Sequence, residues 1–349
     1  MEPPADGTYM KTLAAIANRV LTALPSLVGV VIVTFLLARA LPGDPAAYYA
    51  GSSATPASIA QIRAQLGLDK PLIAQFGDYV QRLAHGDLGH SVSSGQSVLA
   101  DLSTRLPASA ELTLAALGFA LLIGLPLGVL AALRQGSWID HVCRVVVSVG
   151  AAFPTFFVAL MFVFVFYYEL GIAPEPLGRF NEVYHTLPAA HTGFLVIDSI
   201  IAGDPEALWA TLAQLVLPAA SLGLFALAPI ARVARAAMLE ALGSDYVRTA
   251  RAMGLSSAKV SLGYALRNAM LPIVNVLGMV FSFLLGANVL VEQVFAWPGI
   301  GAYAVNAVIA SDYAAVQGFV LMMAVLYVGL NLLVDIAVAA LDPRVRLGV

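Results

Sequence analysis

Six apolar runs constrain this chain more than any other feature: residues 20–41, 112–133, 145–168, 212–231, 269–291 and 316–341. Each is close to the ~20 residues that a helix needs to cross ~30 Å of hydrocarbon. In lipid the backbone must satisfy its own N–H and C=O groups, so such runs settle as helices. Composition agrees, because 60% hydrophobic residues against 11% charged ones exceed what a soluble core can hide. The expected fold is therefore an all-α integral membrane protein with six spans. The first run is longer than the apolar region of a signal peptide and lacks an A-x-A exit, so it reads as a retained anchor. The apolar stretch Phe194 to Ala202 is too short to cross and reads as a peripheral helix. Pro25, Pro126, Pro154, Pro218 and Pro272 predict kinks that neighbouring groups must accommodate.

The basic residues orient these spans. With both termini inside, the inner segments hold Lys11, Arg19, Arg134, Arg144, Arg232, Arg235, Arg248, Arg251, Lys259, Arg267, Arg344 and Arg346. The outer segments keep only Arg39, Arg63, Lys70, Arg82, Arg105 and Arg179, among fourteen acids that include Asp69, Asp78 and Asp87. Twelve against six favours an N-in, C-in arrangement. The formal charge of -3 gives no reason to expect a nucleic-acid partner.

Outside the first span, the loop from Gly43 to Ala108 carries helix signals. Thr55 precedes Pro56 as an N-cap before a first-position proline, Ile59, Ile62 and Leu66 share a face, and Gly67 can close the turn. After Pro71, Leu72, Phe76, Tyr79, Val80 and Leu83 recur at helical spacing until Gly86. Two uses suit these faces: an ordered lid on the outer ends of the spans, or a docking site for an external partner.

Catalytic patterns are missing from the sequence. It contains no phosphate-loop motif and no H-E-x-x-H, the five histidines all lie outside the spans, and Cys143 stands alone. No catalytic residue and no metal site is therefore assigned. An ion-coupled carrier would bury ionisable groups at the midplane. Here the one acid well inside a span is Asp335, four residues from Asn331, a spacing that suits a local hydrogen-bonded pair better than a proton relay. Gly124 and Gly128 form a G-x-x-x-G match, a weak signal in a chain with 29 glycines.

The longest inner loop contains SDYVRTARAMGLSSAKV, residues 244–260. Tyr246, Val247, Ala250 and Met253 fall on one stripe of a helix, and Arg248 and Arg251 on another. Asp245 suits the positive end of that helix and Gly254 its stop. On the residues alone, this is either a basic loop resting on lipid headgroups or an amphipathic helix presented to another protein.

The segment EALGSDYVRTARAMGLSSAKVSLGYALRNAMLPIV, residues 240–274, closely resembles the cytoplasmic coupling region of bacterial ABC importer permeases of the dipeptide, oligopeptide and nickel group. LPGDP at 41–45, LGLDKPLIAQFGDYV at 66–80, GDLGHS at 86–91, TGFLVIDSIIAGD at 192–204, QLVLPAASLGL at 214–224, VEQVFAWPGIG at 291–301 and LDPRVR at 341–346 are also similar to that group. One departure is visible. The wider superfamily has a Glu-Ala-Ala triplet four residues before its glycine, where this chain has Arg248, Thr249 and Ala250, a variant common in the dipeptide-type group.

The resemblance implies a division into a cytoplasmic tail 1–19, a first span 20–41, an extracytoplasmic helical loop domain 42–111, a permease core 112–341 that includes the coupling region 240–260, and a cytoplasmic tail 342–349. It also implies a bacterial inner-membrane subunit that pairs with a second homologous permease, two cytoplasmic ATPases and an extracytoplasmic binding protein. The chain itself would carry no cofactor, with ATP and Mg held by the ATPases. Asp245, Tyr246, Val247, Arg248, Ala250, Arg251, Met253 and Gly254 would form the coupling helix, with Val247, Ala250 and Met253 filling a groove on the ATPase and the two arginines at its rim. Pro154, Asn275 and Asn288 are candidates for the pathway, although a helix interface suits a polar residue equally well, and Asp69, Asp78 and Asp87 are candidates for binding-protein docking. The implied cargo is a dipeptide or short oligopeptide, with nickel-chelate or glutathione import and an ion-coupled secondary transporter as alternatives.

Overall fold

A computed structural model describes residues 21–22, 24–36, 39, 45–51, 54–65 and 67–341. Both tails, the ends of the first apolar run, Leu66 and the LDPRVR segment beyond Leu341 lie outside the described residues. Thirteen α-helices are described here: α1 Leu24–Leu36, α2 Pro45–Ala50, α3 Pro56–Gln65, α4 Leu72–Ala84, α5 Val98–Leu133, α6 Trp138–Gly150, α7 Thr155–Phe162, α8 Leu195–Ala202, α9 Pro205–Gly243, α10 Asp245–Ala252, α11 Leu266–Val294, α12 Ile300–Ile309 and α13 Tyr313–Leu341. π-Helical turns extend α7 over Val163–Glu169 and precede α11 over Lys259–Ala265. Among the described residues the only extended pairing is one isolated bridge, His90 to Ser97.

Among the described residues, four helical stretches are long and apolar enough to cross a bilayer: Val98–Leu133, Pro205–Gly243, Lys259–Val294 and Tyr313–Val338. A fifth would be the pair Trp138–Gly150 and Thr155–Glu169, which is bent by 92° at its break. The expected kink at Pro154 is thus a full break. Pro154 has no N–H to give to a continuing helix and instead occupies the N-cap of α7. The helix α1 covers 13 residues of the first expected span.

The chain divides into two compact units. One comprises residues up to Leu106 with Ala302–Gly329. Here the helices α3 and α4 form where the sequence places them: the Ser58 amide donates to the Thr55 hydroxyl at 3.3 Å, and Gly67 and Gly86 take φ of +67° and +75°. The lid-like face of α4 packs on α1, with the Phe35 ring 5.1 Å from Phe76 and 5.7 Å from Tyr79. Leu72 and Val80, expected on the same face, are exposed. Asp312, fully buried, accepts from the Ser91 hydroxyl at 2.6 Å and from the Ser93 amide at 3.0 Å.

The other unit, Pro107–Gly301 with Leu330–Gly348, is built on α9. This helix packs on α6, α7, α8, α10 and α11. Small residues let the backbones close up. A Cβ placed on Gly124 would lie 3.1 Å from the Leu227 carbonyl, and one on Gly128 2.5 Å from the Ala231 carbonyl. The G-x-x-x-G match that looked weak in the sequence is therefore where α5 meets α9. At the far end of α11, the VEQVFAWPGIG segment wraps Glu292, which is completely buried. Its carboxylate accepts from the Ser109 hydroxyl, whose oxygen accepts from the Ile300 amide at 2.9 Å, while the Trp297 indole donates to the Ala108 carbonyl at 2.9 Å. Side chains at Gly299 or Gly301 would collide with that carboxylate, so these glycines are what allow a buried acid here.

Candidate functional site

The long loop between the helices α9 and α11 folds back on them. α9 ends at Gly243, Ser244 turns the chain, and α10 begins with Asp245, whose charge complements the helix N-terminus. At the other end the Leu255 amide donates to the Ala250 carbonyl at 3.3 Å and the Gly254 amide to the Arg251 carbonyl at 3.0 Å. These are the two bonds of a Schellman stop, with Gly254 at φ +77° in its left-handed position. Leu255 packs in the same apolar cluster as Ala250, which is the contact this stop usually brings.

Val247 is fully buried and Ala250 nearly so, in a cluster with Ala234, Met238, Val260 and Ile273. The expectation that both would fill a partner's groove is corrected by this packing. Their side chains are consumed in fastening α10 to its own chain, so neither can enter another protein. Tyr246 and Met253, assigned to the same stripe, are exposed at 40% and 73%. Arg248, Arg251 and Asp245 also face outward, with Arg248 3.3 Å from Asp245. Outside α10 is thus a short surface with a thioether, a phenol ring, two guanidiniums and one carboxylate.

The other candidates are scattered. Asn288 is buried between helices, its amide nitrogen donating to the Thr113 hydroxyl at 2.6 Å and to the Ser109 carbonyl at 3.2 Å, so it holds α11 to α5. Pro154 and Asn275 are exposed. Asp69 is exposed, Asp78 is paired with Lys70 at 2.6 Å, and Asp87 accepts from the Gly89 amide at 2.8 Å. Sequence reasoning missed the clamp formed by Asp140, Arg235 and Arg144; its signal was an acid placed three residues after the N-cap Ser137 in an otherwise basic inner segment.

Two family models match the chain: the binding-protein-dependent transport system inner membrane component over residues 124–347 and the N-terminal domain of such membrane components over 12–113. A probable D,D-dipeptide transport system permease of Escherichia coli K12 is 43% identical, over 92% of this chain and 94% of its own. A di/tripeptide transport system permease of Pseudomonas aeruginosa is 42% identical, over 96% and 99%. Among solved structures, the inward-facing MetNI methionine ABC transporter has a chain of similar fold, with TM-score 0.50 and 19% identity over 67% of this chain and 93% of that one. The exposed, capped helix between α9 and α11 is thus set in a protein of known kind: the chain belongs to the binding-protein-dependent transport system inner membrane component family, as a multi-pass inner-membrane permease of an ABC importer and not an enzyme.

Proposed function

We propose that this chain pairs with a second related permease to form the pathway of a peptide importer, driven by two cytoplasmic ATPases that bind ATP and Mg and supplied by an extracytoplasmic binding protein. Six spans are counted as α1, α5, the bent pair α6 and α7, α9, α11 and α13, with both termini inside. In this reading α10 is the element seated on an ATPase. The observation that carries it is the split of α10 into two faces: Val247 and Ala250 fasten it to α9 and to the turn before α11, while Tyr246, Arg248, Arg251 and Met253 remain outward. A helix rigidly attached to two spans and free on its other side can pass on movement of a partner. Dipeptides or tripeptides are the proposed cargo because the names of the relatives specify them.

The test is uptake by vesicles holding the purified complex. Dipeptide should accumulate with ATP inside and the cognate binding protein outside. Uptake driven by an ion gradient without ATP would instead favour a secondary transporter, and uptake of nickel-chelate or glutathione in place of peptide would overturn the cargo.

A further inference from the structure

We propose that the open cavity bordered by α5, α6 and α9 is a binding site for the phosphate headgroup of an anionic phospholipid. The cavity measures about 220 Å³ and is walled by Leu127 and Ala131 of α5, Val147 of α6 and Ala231 of α9. That is below the roughly 300 Å³ at which clefts for drug-sized ligands begin, and suits a headgroup. Three arginines line it, Arg144 and Arg232 exposed and Arg235 partly buried. One carboxylate serves them. Asp140 takes a bidentate pair from Arg235 at 2.9 and 2.8 Å and lies 3.4 Å from Arg144. Arg232 donates its Nε to the Ala228 carbonyl at 3.2 Å. Three positive charges against one negative leave two uncompensated at an apolar cavity, an arrangement that recognises a phosphate oxygen rather than a neutral solute.

The setting identifies the source of that phosphate. Within the bent span, α6 and the π-extended α7 meet at 92°, so when the Thr155–Glu169 arm crosses the membrane the α6 arm lies along its plane. Outward from the cavity, α6 exposes Trp138 at 74%, Val145 at 61% and Val149 at 56%. An amphipathic helix that exposes an indole and valines and carries Arg144 has the pattern of a helix at headgroup depth. Basic pockets between spanning helices are suited to anionic headgroups. The inference needs α7 to be a span and is independent of the cargo.

Native mass spectrometry of the full chain, and of the complete transporter, with cardiolipin, phosphatidylglycerol or phosphatidylcholine tests it. Two uncompensated charges, each worth about fivefold near an anionic surface, predict ~30-fold preference for the anionic lipids. Arg144→Gln with Arg232→Gln should abolish the preference while Arg267→Gln, at an exposed arginine away from the cavity, keeps it. Equal retention of phosphatidylcholine, or an unaltered preference in the double variant, overturns the proposal. So does displacement of the lipid by low millimolar inorganic phosphate, which would mark a free-anion site. Lipid bound to the isolated chain and absent from the complete transporter would mark the cavity as a seat for another subunit and overturn it too.

Discussion

Arg235 of α9 holds both carboxylate oxygens of Asp140 on α6, at 2.9 and 2.8 Å, and Asp140 is 1% exposed. A buried carboxylate that loses its bidentate partner keeps only the longer contact to Arg144 at 3.4 Å and the Gly136 amide at 3.1 Å, whereas replacing both members of the Asp140–Arg235 pair by apolar groups removes the charge altogether. Arg235→Ala should therefore lower the thermal midpoint of the purified protein more than the double change Asp140→Leu with Arg235→Met. A larger loss in the double variant would show that the pair holds α6 by its charge interaction alone.

Gly254 has a left-handed backbone and nothing within 4 Å of the place a side chain would start. Its requirement for glycine is conformational, at roughly 1–2 kcal/mol for an ordinary L residue and less for asparagine. Gly254→Asn should keep most transport, and Gly254→Val should lose both transport and substrate-stimulated ATP hydrolysis while the subunit still inserts. Equal activities of the two variants in vesicles would contradict the role of this turn.

The two faces of α10 should respond differently. Val247→Asp buries an unpaired charge in the cluster around Met238 and Ile273, so expression and the thermal midpoint should fall. Arg248→Glu with Met253→Ser touches only exposed groups and should leave the midpoint within a degree or two, since surface changes are usually within ~0.5 kcal/mol. It should nevertheless reduce the ATPase recovered with the permease. Full recovery of ATPase with the double variant would remove α10 from the coupling surface.

What the sequence made legible was length and period. α11 and α13 lie close to the apolar runs 269–291 and 316–341, because hydropathy reports the lipid-exposed middle of a helix directly. It fails beyond the lipid. α9 runs on from the expected 212–231 to Pro205–Gly243, through alanines and arginines that no hydropathy window counts as a span. Of the stripe expected in α10 only Val247 and Ala250 turn inward, and which members do so is decided by the cluster at Met238 and Ile273, which only the fold assembles. Asn288 illustrates the same limit, since its partners Ser109 and Thr113 are more than 170 positions away. Gly124 and Gly128 could not be distinguished from the other glycines until Leu227 and Ala231 were seen against them.

The three acids proposed for binding-protein docking should not contribute equally to it. Lys70 neutralises Asp78 at 2.6 Å, and Asp87 is engaged by the Gly89 amide, whereas Asp69 is exposed. Asp69→Lys should weaken docking at low salt more than Asp78→Lys, and the difference should fade as salt screens exposed charges over ~8–10 Å. Titration of the binding protein against reconstituted transporter measures this. Identical affinities for the two variants and the unaltered protein would exclude this face from docking.

Asp198 sets a pH limit on the peripheral segment before α9. It is fully buried, and burial alone would raise its pKa, but hydrogen bonds from the Thr192 amide and hydroxyl at 2.8 Å each, from the Gly193 amide at 3.1 Å and from the His191 backbone outweigh that and hold the carboxyl below its ordinary value. A carboxyl lowered in the folded state contributes stability at pH above its unfolded value of about 3.9, and that contribution is lost as pH falls through the lower folded value. Hydrogen exchange at the Thr192 and Gly193 amides, corrected for intrinsic rates, should lose protection on acidification below about pH 4. Asp198→Asn should lower protection at neutral pH, because an amide offers one acceptor oxygen where the carboxylate offers two, and should flatten the acid response. Protection that falls equally in both proteins on acidification would place the sensitive group elsewhere.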